Sequence, residues 1–175
     1  MKKILAMLIL ILLLVSCFAF VGCNPKQEMV VAIYFPYKAE PYSNQEYMHI
    51  YYGVDEDVRE IYVDSAELRS VPLLGYLTVD EDPVSQHWQQ TGYWLLDEEP
   101  SPTHWHVIDD ECVKLSGTYT RDNKTLEIGP SYVNGKYAFI LCQAGVYELT
   151  FEINPDNANI KPRTIKLIVY LNSKP

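Results

Sequence analysis

A chain of 175 residues carrying 23 acids against 14 lysines and arginines has a formal net charge of −9. That balance excludes nucleic acid as a natural partner, because displacing counterions needs basic surface, and it argues against electrostatic adhesion to anionic lipid. The length suffices for one domain with a real core, or for one domain plus an extension.

Lys2 and Lys3 lead into an apolar run over residues 4–15, and a short tract then ends in Phe20-Val21-Gly22-Cys23. A basic start, an apolar core and small residues before a cleavage point make a secretory signal. The core is too short to cross a bilayer comfortably and no charged stop follows it. Cys23 at the boundary resembles the lipobox cysteine of bacterial lipoproteins, before which a signal peptidase cuts and whose sulfur carries diacylglycerol. Leu14-Val15-Ser16-Cys17 fits the same pattern. Polar Asn24, Lys26 and Gln27 follow Cys23, whereas Cys17 precedes an apolar stretch, so Cys23 is preferred as the lipidated residue. Two or three acyl chains hold a protein firmly on a membrane where one would not. The expectation is an extracytoplasmic protein, lipid-anchored to a bacterial cell membrane. Residues 1–22 are read as the signal, 23–69 as tether and N-terminal β extension, and 70–175 as the main domain.

Beyond the signal the chain reads as β. Fourteen tyrosines and many Val, Ile and Thr suit pleated, half-buried surfaces. Strands are expected over 30–35, 47–52, 60–63, 73–79, 93–96, 105–108, 115–120, 126–128, 136–141, 146–153 and 164–171, with a helical turn near 64–69. Asp122-Asn123 and Asn134-Gly135 are two-residue hairpin signals, since these residue types accept positive φ. Near the end, Tyr147, Leu149, Phe151 and Ile153 alternate with Glu148, Thr150 and Glu152, and Ile165, Leu167, Val169 and Leu171 repeat the pattern. Many short strands with frequent turns predict an all-β fold, an immunoglobulin-like antiparallel β-sandwich.

Cys112 and Cys142 are the two cysteines past the anchor, and in an oxidising compartment they form a possible disulfide. Closing a loop of about thirty residues would stabilise by about 3–4 kcal/mol on the loop-entropy estimate; two buried free thiols are the alternative. Neither cysteine lies in a CxxC pair, so redox catalysis is not expected.

Four acidic triplets begin at Asp55, Asp80, Asp97 and Asp109. They suit solvated loops and edge protection. Calcium would need spaced oxygen ligands and a glycine that they lack. His104-Trp105-His106 would put two imidazoles on one strand face, half a zinc site, with His87 or an acid as third ligand; a packed or exposed pair is the plainer reading. No Gly-x-Ser-x-Gly is present, so catalysis is not expected, and neither metal nor cofactor is assigned.

The segment 85–106 carries Trp88, Trp94 and Trp105 and the run Gln90-Thr91-Gly92-Tyr93-Trp94. Large aromatics beside Gly and Pro make binding hot spots, because rigid apolar area costs little entropy to immobilise. Thr91, Gly92, Tyr93, Trp94 and Trp88 are therefore the candidate binding residues, with Trp94 or Trp105 alternatively in the core. Thr91-Gly92-Tyr93 resembles the central loop of the chagasin-type inhibitors of papain-like cysteine peptidases, which are immunoglobulin-like sandwiches. The run Val146-Tyr147-Glu148-Leu149-Thr150-Phe151 and the last strand resemble that family's layout as well. The resemblance implies a non-enzymatic inhibitor whose Thr-Gly-Tyr loop wedges into a peptidase cleft. It also implies that Gly92→Trp abolishes inhibition and leaves the thermal melt nearly unchanged. A module binding cell-surface glycan or peptide through Trp88 and the tyrosines of 34–52, or a structural envelope component, is the alternative.

Overall fold

The computed structural model describes residues 25–35, 48–64, 91–98, 101–108, 110–133 and 136–173. Within them the strands are β1 (Met29–Phe35), β2 (Met48–Tyr52), β3 (Val58–Val63), β4 (Gly92–Leu95), β5 (His106–Val107), β6 (Val113–Arg121), β7 (Lys124–Ile128), β8 (Ser131–Val133), β9 (Lys136–Ala138), β10 (Gly145–Ile153) and β11 (Arg163–Leu171). The expected strand at 73–79, the turn after Asp64 and the triplet at Asp80 lie outside the described residues, as do Cys17, Cys23, His87 and Trp88.

Two sheets face each other, one in the order β2-β1-β4-β5 and one in the order β3-β11-β10-β6-β7. The fold is an all-β sandwich. Alternation builds its interior: Met29, Val31, Ile33 and Phe35 of β1 meet Tyr147, Leu149, Phe151 and Ile153 of β10 and Ile165, Leu167, Val169 and Leu171 of β11 in one cluster. Burying each such side chain stabilises by about 1.5–3 kcal/mol. Phe139 and Leu141, just past the β8–β9 hairpin, drop into the same core, with Phe139 edge-on to Phe151 at 6.1 Å. At the entry to β10 the Tyr147 hydroxyl donates to the Gln143 carbonyl at 2.8 Å, the backward bond of a tyrosine corner. The β6–β7 hairpin turns at Asp122 and Asn123, whose φ values of 50° and 60° are those their residue types tolerate.

One expectation is corrected: the sandwich is not purely antiparallel, because β3 lies parallel to β11 at the sheet edge. The early strands add to both sheets, as expected. β1 is interior, between β2 and β4, and its side chains form part of the core.

Both sheets are pinned at one end by Arg163, whose side chain is 10% exposed. Its guanidinium donates to the Met29 and Glu56 carbonyls at 2.8 Å, to that of Tyr52 at 3.1 Å, to that of Gly53, and to the Asp57 carboxylate. Nearby the Tyr52 hydroxyl reaches across the sandwich to the Lys166 carbonyl at 3.0 Å. The chain enters at this same end. Gln27 forms a parallel bridge with Ile160, donating to the Asn159 carbonyl at 2.7 Å and accepting from Lys161 at 2.9 Å.

Candidate binding site

The segment 91–94 alternates, and the alternation decides what each residue can do. Thr91 is 2% exposed, and its hydroxyl accepts from the Tyr34 backbone N–H at 3.1 Å. Gly92 is buried against β5. A Cβ there would lie 2.5 Å from the His106 carbonyl oxygen and 2.5 Å from the Trp105 ring, so the glycine is demanded by close packing. Trp94 is 3% exposed and lies edge-on to Trp105 at 4.9 Å, while the half-exposed Tyr51 ring stacks on it at 5.7 Å. Its indole N–H donates to the Ser101 carbonyl at 3.3 Å.

Trp94, Trp105 and Ala32 form a second apolar cluster separate from the main core. They project from the other face of the four-stranded sheet, since Val31, Ile33, Tyr93 and Leu95 supply the inner one. His49 sits among them, 5.5 Å from the Tyr34 ring and 5.3 Å from that of Trp105. Thr91 and Gly92 are thus not an exposed wedge. Of the four described candidates, Tyr93 borders a cleft.

That cleft, of about 280 Å³, opens at the sandwich end where Gln27 enters. Its floor is Ile108, Ile153 and Ile160, and Tyr93, Leu95 and Cys112 line its walls. Tyr93 stacks on His106 at 5.0 Å with the rings 19° apart. The imidazole Nε2 is 3.3 Å from a Glu98 carboxylate oxygen, which also accepts from the Leu95 N–H at 3.2 Å. Glu98 therefore sets the β4 turn and the imidazole orientation together. Burial pushes the Tyr93 hydroxyl above its ordinary value of 10.0, with the nearby Cys112 and Glu98 adding to the effect, so it stays a neutral donor. A smaller hollow of about 160 Å³ surrounds Arg163, whose donors are already taken by carbonyls and Asp57.

His104 ends a 3-10 turn (Pro102–His104) and His106 begins β5, so the two imidazoles do not share a strand face. Proline at the start of that turn breaks the extended pattern on which the half-site was based. Among the described residues no group of three His, Cys, Asp or Glu is placed to hold a metal ion. Some triplet acids have local partners: Glu56 accepts from the Gly53 N–H at 3.2 Å and pairs with Arg59, and Asp57 takes Arg163.

Cys112 and Cys142 are not bridged to each other, the first half-buried and the second exposed. Cys112 immediately precedes β6, where Val113 pairs with Ile153, while Cys142 precedes β10, whose Val146 pairs with Thr120 at the other end of the ladder. That ladder is about 23 Å long, and a disulfide needs Cα atoms within about 7 Å. The possible bridge is overturned by this separation. Compared with known proteins, the chain matches no family model, no curated protein and no solved structure.

Proposed function

We propose that the chain is an extracytoplasmic bacterial lipoprotein, held on the membrane through Cys23, whose sandwich is a non-enzymatic binding module. The observation that carries the binding reading is the Tyr93 cleft. A flat aromatic pair stands over an apolar floor, with the exposed Asp156 and Asn157 at its rim. Apolar walls with a few placed polar groups are what ligand pockets share, and the volume lies just below their usual range of about 300–1,000 Å³. Such a site suits one sugar ring or one peptide side chain.

The narrower reading, an inhibitor of papain-like cysteine peptidases, draws support from the likeness of Thr91-Gly92-Tyr93 to the chagasin-type loop. It must place the contact on Tyr93, because Thr91 and Gly92 are buried. The second reading, a glycan-binding module, gains from the outer face of the larger sheet. There Tyr62 and Tyr170 stack at 4.7 Å, 10° apart, beside Glu60 and Glu148. Rings with adjacent carboxylates supply the stacking and hydrogen bonding that a sugar needs.

One titration separates the readings. Residues 24–175 are mixed with papain and, separately, with insoluble bacterial cell-wall polysaccharide. Stoichiometric inhibition that Tyr93→Ala weakens is the result expected of the inhibitor. Retention on the polysaccharide that Tyr170→Ala weakens is expected of the glycan binder. Failure of both at micromolar protein removes both partners.

A further inference from the structure

We infer that the sandwich end carrying the Leu96 turn and the 154–161 loop faces the bilayer into which Cys23 is anchored; the Tyr93 cleft opens at this same end, so on the membrane it admits a single sugar or a peptide end and not a folded peptidase. The inference rests on the lipoprotein reading and adds an orientation to it. A lipid anchor fixes position but leaves the body free to tumble unless the tether is short. Here the folded body begins at Gln27, which is bonded to both Asn159 and Lys161. The next residue is held too: the Glu28 carbonyl accepts from the Leu96 N–H at 2.9 Å, and its carboxylate pairs with Lys161 at 3.0 Å. Cys23 is four residues earlier, so its Cα lies within about 14 Å of that of Gln27 even with the chain fully stretched.

A tether that short cannot let the body turn over. β10, nine residues long, spans roughly 27 Å, about twice the reach of the tether. The Gln27 end must therefore stay on the membrane and the Cys142 end must point away. Leu96, 56% exposed on the turn after β4, is an apolar side chain at that end. Around it Asp97, Asp156 and Lys161 are exposed and mixed in sign. The orientation is imposed by tether length and needs no anionic lipid.

The test uses the full-length chain, exported and processed by a bacterium, then reconstituted in phosphatidylcholine liposomes. Leu96→Cys and, separately, Asp156→Cys are treated with a maleimide attached to a polyethylene glycol wider than the tether gap. Cys142 in the same molecule serves as the reference for the outward end. The new thiols are expected to react roughly tenfold more slowly than Cys142. A Gly/Ser spacer of about twelve residues between Asn24 and Pro25, which adds a reach of roughly 20 Å, is expected to erase the difference. Equal rates without the spacer, in protein whose N-terminal peptide carries acyl groups by mass, overturn the orientation and leave the lipoprotein reading standing. An N-terminal peptide without acyl groups overturns both.

Discussion

Arg163 shows how one side chain can hold two sheets. Carbonyls of Met29, Tyr52, Gly53 and Glu56 converge on it, and those groups belong to β1, to β2 and to the turn before β3. A planar five-donor fork matches such a set where a point-like ammonium does not. Arg163→Lys is expected to cost about 2 kcal/mol and Arg163→Met about 3–5 kcal/mol, because buried carbonyls and Asp57 lose their donor. Urea unfolding of residues 24–175 checks this. A midpoint shift in Arg163→Met no larger than that of an exposed-site control would refute it.

Gly92 is the other residue on which the architecture turns. The loop resemblance implies that a bulky residue there leaves the melt unchanged, whereas the packing implies the reverse. Even the methyl of Gly92→Ala would overlap the His106 carbonyl and the Trp105 ring. Overpacking of this sort costs about 1–3 kcal/mol. Thermal denaturation should show a clear fall in Tm for Gly92→Ala and a larger one for Gly92→Trp. A wild-type melt in both would return Gly92 to an exposed loop.

At the scale of elements, the strands best read from sequence are those half-buried on a regular face. β10 and β11 are legible because every second side chain enters the core and the intervening Glu148, Thr164 and Lys166 stay wet. The Asp122-Asn123 turn is legible because its backbone needs what those residues allow. The parallel pairing of β3 with β11 is not, since its partner lies about a hundred residues away and local pattern carries no register over that distance. The same holds for the candidate site. Tyr93 stands out in the sequence by its type and company, and the structure sets it beside a cleft. That Gly92 and Trp94 are covered depends on Trp105 folding over the outer face of β4, and nothing within 91–94 announces it. Glu98 went unremarked among acidic triplets, although an acid three residues past a strand end can cap the turn that follows.

For the whole molecule, tyrosine chemistry sets a limit on alkaline tolerance. Burial raises the hydroxyls of Tyr51, Tyr93 and Tyr147 above the usual 10.0. Tyr170 is raised as well, by desolvation and by Glu60, Tyr62 and Glu148. In the unfolded chain these groups ionise near pH 10, while the folded chain keeps them protonated. The folded state then binds more protons, so stability is fully present below about pH 10 and declines as pH rises above it. Melts between pH 8 and pH 11 should fall steeply at the upper end, and less steeply in Tyr93→Phe. An unchanged slope in that variant would show that Tyr93 titrates alike in both states.

The placement of β1 has a mechanical consequence. If Cys23 carries the proposed lipid anchor, any drag on the body, from flow or from a departing partner, would be delivered at Gln27 and run along β1. That strand has a neighbour on each side, and ladder hydrogen bonds lie across its axis. A pull along the axis loads both ladders in shear, many bonds at once, where a pull at right angles to an edge strand would open them one after another. The Arg163 grip on the Met29 carbonyl adds a cross-link at the first residue of β1 to take the load. The strand joined to the tether is thus the one the sandwich is best built to keep.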